Sequence, residues 1–214
     1  ALKVTKEESI NIYLTTEELT AIRNIDFSNN KPLEHARDLF LIGCYTGLRF
    51  SDFTRLTLDN INNGIISIAQ QKTGHVVEIP LHPVVSSILE KYNGVLPPVI
   101  SNQKFNKHLA TIAESKDESG DYIISGKITK VVTRGGVQES TNIERYKLVR
   151  SHTARRSFAT NLYLSGYPPI NIMKITGHKT ETAFLKYIKI SGEQSAKMLR
   201  SHWVQTGEYI TTNN

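Results

Sequence analysis

The sequence predicts a mainly α-helical domain with small antiparallel β-hairpins, an α+β fold. Three observations support this fold class. Apolar residues recur at helical spacing along most of the chain, with capping residues in front of them. Residues 61–80 instead carry two runs of β-branched residues around a short turn. From Thr153 onward, helical patterns follow one another with only short breaks.

The first helix signals follow an extended, polar lead-in over residues 1–14. Thr15 or Thr16 is predicted to cap a helix whose first turn is acidic, as the helix dipole favours. A second helix is predicted to begin near Pro32, where proline suits the first turn. Its apolar stripe is typical of a core helix, and consists of Leu33, Ala36, Leu39, Phe40 and Gly43.

The middle of the chain alternates short elements with turn signals. Gly47 is predicted to end the core helix, and Ser51 to cap a short helix after it. The turn Lys72-Thr73-Gly74 joins two β-branched runs, which predicts an antiparallel hairpin with Lys72 close to its tip. Further helices are expected from Pro83 and over residues 101–115. Residues 116–140 favour an irregular loop or a second hairpin.

The domain prediction is a single unit over residues 1–214. It comprises the lead-in, a core over residues 15–205 that ends in an amphipathic helix, and a polar tail over residues 206–214. No apolar run approaches the length of a membrane span, and the N-terminal residues lack a signal peptide's apolar region. The single cysteine, Cys44, excludes an intrachain disulfide framework and fits a reducing cytoplasm.

Charge is unevenly distributed along the chain. The net charge is +6, and residues 141–203 hold 11 Lys and Arg against 3 Asp and Glu, a local balance of +8 that leaves −2 for the remainder. A basic surface confined to one region is the expected footprint of a phosphate polymer. A solubilising basic face is the alternative, and charge alone does not decide between them.

Four residues of the C-terminal half suggest a reaction at phosphate. His152 and Arg155 are three residues apart, so they share a helix face. His178 follows Gly177, a residue type that commonly ends a helix. Tyr187 comes nine residues later in a segment that suits a short helix. Cations and proton-transfer groups around a phenol indicate phosphate chemistry with a covalent step.

Five pieces in this order resemble the tyrosine recombinases, the phage-integrase family. They are T-G-L-R-F-S-D (46–52), Lys72 on a hairpin, H-T-A-R (152–155), T-G-H (176–178) and Tyr187. The resemblance covers nearly the whole chain and implies the fold of that family's C-terminal catalytic domain. It also implies that the family's N-terminal DNA-binding domain is absent from this chain.

The resemblance implies a role for each matching residue. Tyr187 would attack a DNA phosphodiester to form a 3′-phosphotyrosyl intermediate, and Lys72 would protonate the 5′-hydroxyl that leaves. His152 would assist proton transfer at the tyrosine, and His178 would hydrogen-bond the phosphate. Two guanidinium groups, those of Arg49 and Arg155, also suit the phosphate oxygens by their own chemistry, since they form paired charge-assisted bonds.

Each residue taken alone has a plainer interpretation. Arg49 could cap helix carbonyl groups, and Lys72 could be a solvated turn residue. His152 could be a packing residue, Arg155 a surface charge, and Tyr187 one of nine tyrosines. The joint pattern outweighs these interpretations.

Two further residues are expected to support the site. Asp52 is expected to be a buried partner that orients Arg49. Arg156 points about 100° away from Arg155 by helical geometry, so it is expected to be a DNA-backbone or structural contact. The family's second box often reads H-x-L-R-H, and here Ala154 and Arg156 replace its Leu and its last His.

The predicted partner is double-stranded DNA, and the expected reaction is site-specific recombination followed by religation. The resemblance implies self-assembly on DNA as a tetrameric synapse, with the C-terminal helix as a candidate docking element, and action on bacterial mobile-element DNA at the nucleoid. No cofactor and no metal are expected, because the phosphotyrosyl bond keeps the ester's free energy. A type IB topoisomerase and a non-catalytic DNA-binding protein are the competing hypotheses.

Overall fold

The computed structural model describes residues 10–134, 137–188 and 190–208, and confirms the predicted helical fold with small antiparallel sheets. The helices are α1 (Thr16–Asn24), α2 (Lys31–Thr46), α3 (Phe50–Phe53), α4 (Pro83–Lys91), α5 (Asn102–Ala113), α6 (Ser151–Leu164), α7 (Pro169–Thr176), α8 (Glu181–Ile188) and α9 (Gly192–Thr206). The strands are β1 (Ile61–Asn62), β2 (Ile65–Ala69), β3 (Val76–Pro80), β4 (Lys127–Arg134) and β5 (Val137–Glu144). Single turns of 3₁₀ helix cover Leu58–Asn60 and Arg145–Leu148.

The first two helices begin where capping chemistry predicts. The Thr15 hydroxyl accepts the backbone N–H of Glu18 at 3.2 Å, and a Glu18 carboxylate oxygen accepts the N–H of Thr15 at 2.8 Å. This reciprocal pair satisfies two N–H groups that a helix start leaves without partners. Asn30 caps α2, with Pro32 in its first turn. Gly47 ends α2 in the left-handed conformation at φ 66°.

Helix α2 forms the centre of the main core. Most of its side chains are buried, and it packs against α4, α5 and α6. Leu39, Phe40 and Ile42 are at most 1% exposed. Full burial of such side chains contributes about 1.5–3 kcal/mol each to stability. The segments before and after α2 are therefore attached to a rigid, well-packed helix.

Both hairpins in the structure match segments with turn signals. Strands β2 and β3 pair in antiparallel register from Ile65 opposite Pro80 to Ala69 opposite Val76, with Lys72 in the connecting turn. Of the two alternatives for residues 116–140, the structure shows the hairpin, formed by β4 and β5. Gly135 and Gly136, a turn signal that follows Arg134 in the sequence, lie outside the described residues.

A second, smaller apolar cluster joins the three helices that follow the second hairpin. Its buried members come from α6, α7 and α8, and Tyr163 and Tyr187 pack against them. The buried members are Ala159, Ile172, Met173, Phe184 and Ile188. The position of α8, and hence of Tyr187, is therefore set by packing against α6 and α7.

The predicted cap of α3 is wrong. Arg49, and not Ser51, occupies the capping position, with extended backbone at φ −72° and ψ 158°. Its carbonyl oxygen accepts the N–H groups of Asp52 at 2.8 Å and Phe53 at 2.9 Å. The left-handed Gly47 shortens the connection from α2, so α3 begins two residues after Leu48 and Ser51 falls inside its first turn.

The chain ends contribute differently to the domain. Ile12 and Leu14, from the predicted lead-in, are core residues with 4% and 0% exposure. Leu14 is tied to α6, because its N–H donates to the Ser157 hydroxyl at 2.9 Å. Helix α9 has no buried residue. Within residues 10–134, 137–188 and 190–208, no helix is long and apolar enough to cross a membrane.

Candidate active site

Four of the predicted site residues line one cleft of about 320 Å³: Arg49, Lys72, His152 and Arg155. They come from three separate segments. Arg49 precedes α3, Lys72 is exposed in the turn between β2 and β3, and the other two lie on α6. The fold therefore brings three cations, Arg49, Lys72 and Arg155, together with His152 from segments that are far apart in sequence, as the motif order predicts.

Arg155 is the most firmly held of these cations. It is 4% exposed, and its Nη1 donates to the carbonyl oxygen of Gly47 at 2.6 Å. Burial and the neighbouring Arg49 guanidinium lower the pKa of Arg155 to about 10. The group therefore stays protonated at neutral pH. A buried, fixed guanidinium is preorganised for an anion because it need not reorganise when charge develops.

His152 lies one helical turn from Arg155, in the first turn of α6, where it is exposed between the buried Ser151 and Thr153. Partial burial of its ring, followed by the charges of Arg155, Arg156 and Arg49, lowers the pKa of His152. The ring is therefore neutral near pH 7 and can accept a proton.

His178 follows α7, which ends at the left-handed Gly177 with φ 65° as predicted. The Thr176 hydroxyl donates its proton to the carbonyl oxygen of Ile172 at 2.8 Å, and the same oxygen lies 2.8 Å from His178 Nδ1. Because that hydroxyl has only one proton, Nδ1 is the donor to it. The Nε2 atom of the neutral ring is then left as an acceptor.

The ring of His178 is neutral over a wide pH range. Burial, followed by the charges of Arg155, Arg49 and Arg156, lowers the pKa of His178 to about 4. A hydrogen bond from Nε2 to a phosphate, the role that the resemblance implies, therefore requires the ring to take up a proton. An anionic phosphate nearby would favour that uptake.

Tyr187 projects from α8, and its ring contacts one guanidinium group and one imidazole ring. The Arg156 guanidinium carbon lies 4.2 Å from its ring centroid, and the His178 ring centroid is 4.7 Å away. Its hydroxyl is buried, with no hydrogen-bond partner among the described residues. Burial raises the pKa of Tyr187, while the charges of Arg155, Arg156 and Arg49 oppose that rise.

The structure thus forms two adjacent groups. The cleft holds Arg49, Lys72, His152 and Arg155. Among the residues that the structure describes, its lining includes neither His178 nor Tyr187. These two lie against each other, within the influence of the same arginines. The hydroxyl of Tyr187 must therefore become accessible before it can reach a group bound in the cleft.

The expected role of Asp52 needs correction. The residue is buried, as predicted, but its Oδ1 accepts from Arg55 Nη2 at 3.2 Å and from the backbone N–H of Gln71 at 2.8 Å. Within the described part of the chain, no hydrogen bond joins the Asp52 carboxylate to the Arg49 guanidinium. The start of α3 turns the carboxylate towards the first hairpin, so Asp52 anchors the turn that carries Lys72.

The motifs did not predict two side-chain contacts, that of Gln70 with Arg49 and that of Arg156 with Tyr187. Gln70, not Asp52, is the residue that binds the Arg49 guanidinium, with Nη1 to Oε1 at 2.8 Å. Of the two roles expected for Arg156, the structure favours the structural one, because the residue is 8% exposed and lies over Tyr187. The sequence could have indicated Gln70, because it is a polar residue at the end of a strand and at a position whose side chain points inward.

The arrangement suits the transfer of a phosphoryl group to a tyrosine. Fixed guanidinium groups can bind the oxygens of a phosphodiester, an exposed ammonium can protonate a leaving oxygen, and a neutral imidazole can accept a proton. Within the described residues, no group of three or more His, Cys, Asp or Glu side chains could hold a metal ion.

Comparison with protein families shows the family of this chain. The family model described as the phage integrase family matches residues 13–194. The chain belongs to the phage integrase family. A search of curated protein sequences finds no significant match.

Solved structures of similar fold include recombinases and an integrase. XerA recombinase superposes with a TM-score of 0.59 at 14% identity, over 94% of this chain and 66% of that chain. XerH site-specific recombinase, in a post-cleavage complex with a palindromic difH substrate, gives 0.56 at 18% identity, over 89% and 53%. A dimer of lambda integrase residues 75–356 bound to a COC′ core site gives 0.55 at 19% identity, over 86% and 61%. The chain thus spans about half to two thirds of these proteins.

Proposed function

We propose that this chain is the catalytic domain of a site-specific DNA recombinase that acts through a covalent phosphotyrosine. The observation that carries the proposal is the cleft in which Arg49, Lys72, His152 and Arg155 meet, beside the paired rings of Tyr187 and His178. The family membership supports it, since the matched residues 13–194 include all six of these residues.

The first chemical step is an in-line exchange of ester bonds. The Tyr187 oxygen forms a bond to phosphorus as the bond from phosphorus to the 5′ oxygen breaks. A neutral histidine, His152 in the cleft, accepts the tyrosine proton, and Lys72 gives a proton to the 5′ oxygen. Arg49 and Arg155 stabilise the charge on the non-bridging oxygens. Removal of one such preorganised donor lowers the rate of a reaction on the order of 10²–10³-fold.

His178 is assigned to the phosphate, and its protonation is linked to DNA. In the free protein its Nε2 is an acceptor, so the ring binds a phosphate oxygen only after it takes up a proton. A phosphate raises the pKa of a nearby imidazole. Arg156 and Asp52 support the site indirectly, the first through the Tyr187 ring and the second through the turn that carries Lys72.

The second step reverses the first with a new partner. A 5′-hydroxyl from another duplex attacks the phosphotyrosyl ester, which releases Tyr187 and joins the strands. One phosphodiester replaces another, so the exchange needs no nucleotide. The complexes of XerH recombinase with a difH substrate and of the Tn1549 transposon integrase with transposon right end DNA agree with a DNA substrate. We propose that the substrate here is bacterial mobile-element DNA in the cytoplasm.

The test is strand exchange between two marked duplexes. The whole recombinase that contains this chain should yield recombinant duplexes and a covalent protein–DNA adduct. Relaxation of supercoils without recombinant products would indicate a type IB topoisomerase. Binding of DNA with neither adduct nor exchange would indicate a non-catalytic DNA-binding protein and would overturn the proposal.

Assembly on DNA is proposed through α9. This helix leaves apolar side chains exposed, with Leu199 at 48% and Val204 at 45%. It is fixed at its start, where Gln194 donates to the hydroxyl of Tyr13. Docking of these exposed apolar side chains of α9 on a neighbouring protomer would support a tetrameric synapse. Replacement of Leu199 and Val204 by serine should leave cleavage intact and abolish complexes larger than a monomer on DNA, as measured by light scattering.

A further inference from the structure

Gln70 is a buried polar residue at the base of an exposed turn. It directly follows β2 and is 1% exposed, whereas Gln71, Lys72 and Thr73 are all exposed. Its backbone closes the turn, because its N–H donates to the His75 carbonyl at 2.9 Å and its carbonyl accepts the N–H of Gly74 at 2.8 Å. Burial of an amide is costly unless its polar atoms have partners, so the side-chain contacts matter.

The side-chain amide has a partner on each side. Its Oε1 accepts from Arg49 Nη1 at 2.8 Å and from the Thr73 hydroxyl at 3.1 Å. Its Nε2 donates to the carbonyl oxygen of Ile175 at 2.9 Å. Arginine can only donate and a carbonyl can only accept, so this network fixes the orientation of the amide. A carboxylate or a hydrocarbon of the same length could not satisfy both sides.

These contacts join three segments that supply site residues. Arg49 is 21 residues before Gln70, and Ile175 is 105 residues after it. Ile175 lies in the last turn of α7, three residues before His178. Thr73 is the neighbour of Lys72. One amide therefore contacts the Arg49 guanidinium, the turn of Lys72 and the helix end that leads to His178.

Gly177 packs against the same amide. A Cβ atom added there would lie 3.2 Å from Gln70 Oε1 and 3.8 Å from Arg49 Nη2. The backbone between α7 and His178 thus approaches the Gln70–Arg49 pair directly, without an intervening side chain. Displacement of the amide would change the distance between Arg49 and the His178 segment.

We propose that Gln70 is a positioning residue, which sets the Arg49 guanidinium and fixes the Lys72 turn relative to the His178 segment. The inference rests on the proposed function, because it assigns Arg49 to the scissile phosphate. Gln70 itself does not touch the substrate. A misplacement of about 1 Å in such a site can cost about 10²-fold in rate, so the effect of the amide should appear in catalysis.

The test compares Gln70→Met, which keeps side-chain length, with Gln103→Met, the same change at an exposed glutamine of α5. Single-turnover cleavage is measured in the whole recombinase on two duplexes. One carries an ordinary scissile phosphodiester, and the other a methylphosphonate, whose missing charge reduces the need for Arg49. Gln70→Met should cleave the phosphodiester about 10–100-fold more slowly, with a much smaller loss on the methylphosphonate. Gln103→Met should stay within about twofold on both.

The outcomes separate the inference from the proposed function. An equal loss on both substrates, in proportion to the fraction of folded protein, would make Gln70 a purely structural residue and overturn the inference. If the unaltered protein cleaves neither duplex, the proposed function fails, and the inference is judged by NMR of the Arg49 guanidinium. Gln70→Met should release the Arg49 Nη protons from their hydrogen bond. Unchanged Arg49 resonances would overturn the positioning role without any reference to activity.

Discussion

The pairing of Arg156 with Tyr187 combines a buried cation with the face of an aromatic ring. A desolvated pair of this kind is worth about 2 kcal/mol. The pair also bears on reactivity, because the positive charge of Arg156 lowers the pKa of Tyr187 against the effect of burial. Arg156 therefore acts on the nucleophile through its ring.

Replacement of Arg156 by methionine should slow formation of the covalent adduct by about 10–30-fold, the rate equivalent of about 2 kcal/mol. The loss should diminish at alkaline pH, since removal of the charge raises the pKa of Tyr187. Arg156→Lys, which keeps the charge without the planar group, should show a smaller loss. Rates of adduct formation between pH 6 and 10 measure the effect, and an identical pH profile in all three proteins would refute it.

The neutral ring of His178 makes the stability of the domain sensitive to acid. The pKa of this ring is about 4 in the folded protein, below the ordinary value of 6.5. The unfolded chain therefore binds more protons than the folded chain between these two values. The contribution of a neutral His178 is complete above pH 6.5 and is lost as pH falls towards about 4.

Replacement of His178 by glutamine should make the fall in unfolding free energy between pH 6.5 and 4 shallower. Urea unfolding at several pH values measures it, with His202→Gln on the exposed surface of α9 as the control. Equal pH dependence in the His178→Gln variant and the unaltered protein would show that the ring is not held neutral by folding.

At the scale of elements, the end of α2 links packing to the site. Gly47 has φ 66°, and its carbonyl oxygen accepts the Arg155 guanidinium at 2.6 Å. A Cβ atom at this position would lie 2.3 Å from the Phe158 ring. The end of α2 and the middle of α6 are therefore in contact at a point that only glycine fits.

Gly47→Ala should destabilise the domain by about 2–4 kcal/mol, through strain at positive φ together with overpacking. Gly207→Ala is the matched control, because it has φ 77° at the end of α9 and open space around it. It should cost about 1 kcal/mol from the backbone term alone. Thermal unfolding measures both, and equal losses would show that the Phe158 contact does not constrain the turn.

The elements also show what local sequence can and cannot predict. Thr15, Gly47 and Gly177 act through chemistry within one turn of the chain, so caps and turns were predictable from them. The start of α3 was wrong, because serine favours a cap but the left-handed Gly47 sets where the next helix can begin.

At the scale of the whole molecule, motif order predicted which residues meet, and the cleft contains four of them. Contacts between segments were not predictable in the same way. The partner of Arg49 is Gln70 and not Asp52, since that choice depends on how the first hairpin lies against α3 and α7. The side-chain contacts of Gln70 join residues that are 21 and 105 positions apart, and no local pattern in the sequence indicates them.

The charge distribution predicts salt-sensitive binding. The excess of positive charge lies in residues 141–203, which include α6 and the Tyr187 helix. Because each neutralised phosphate releases counterions, log K should fall linearly with log salt, with a slope of about −0.9 per phosphate contact. Fluorescence anisotropy with a duplex from 50 to 300 mM salt measures the slope. A slope near zero would show that the basic region does not bind DNA phosphates.

The central claim is that Tyr187 becomes joined to DNA, and a suicide duplex tests it most directly. A nick near the cleavage site lets the 5′-hydroxyl fragment diffuse away, so the adduct accumulates and can be digested and sequenced by mass spectrometry. We expect a 3′-phosphotyrosyl bond on the peptide that contains Tyr187, and its loss in Tyr187→Phe with DNA binding retained. An adduct on any other residue, or one that persists in Tyr187→Phe, would show that Tyr187 is not the nucleophile.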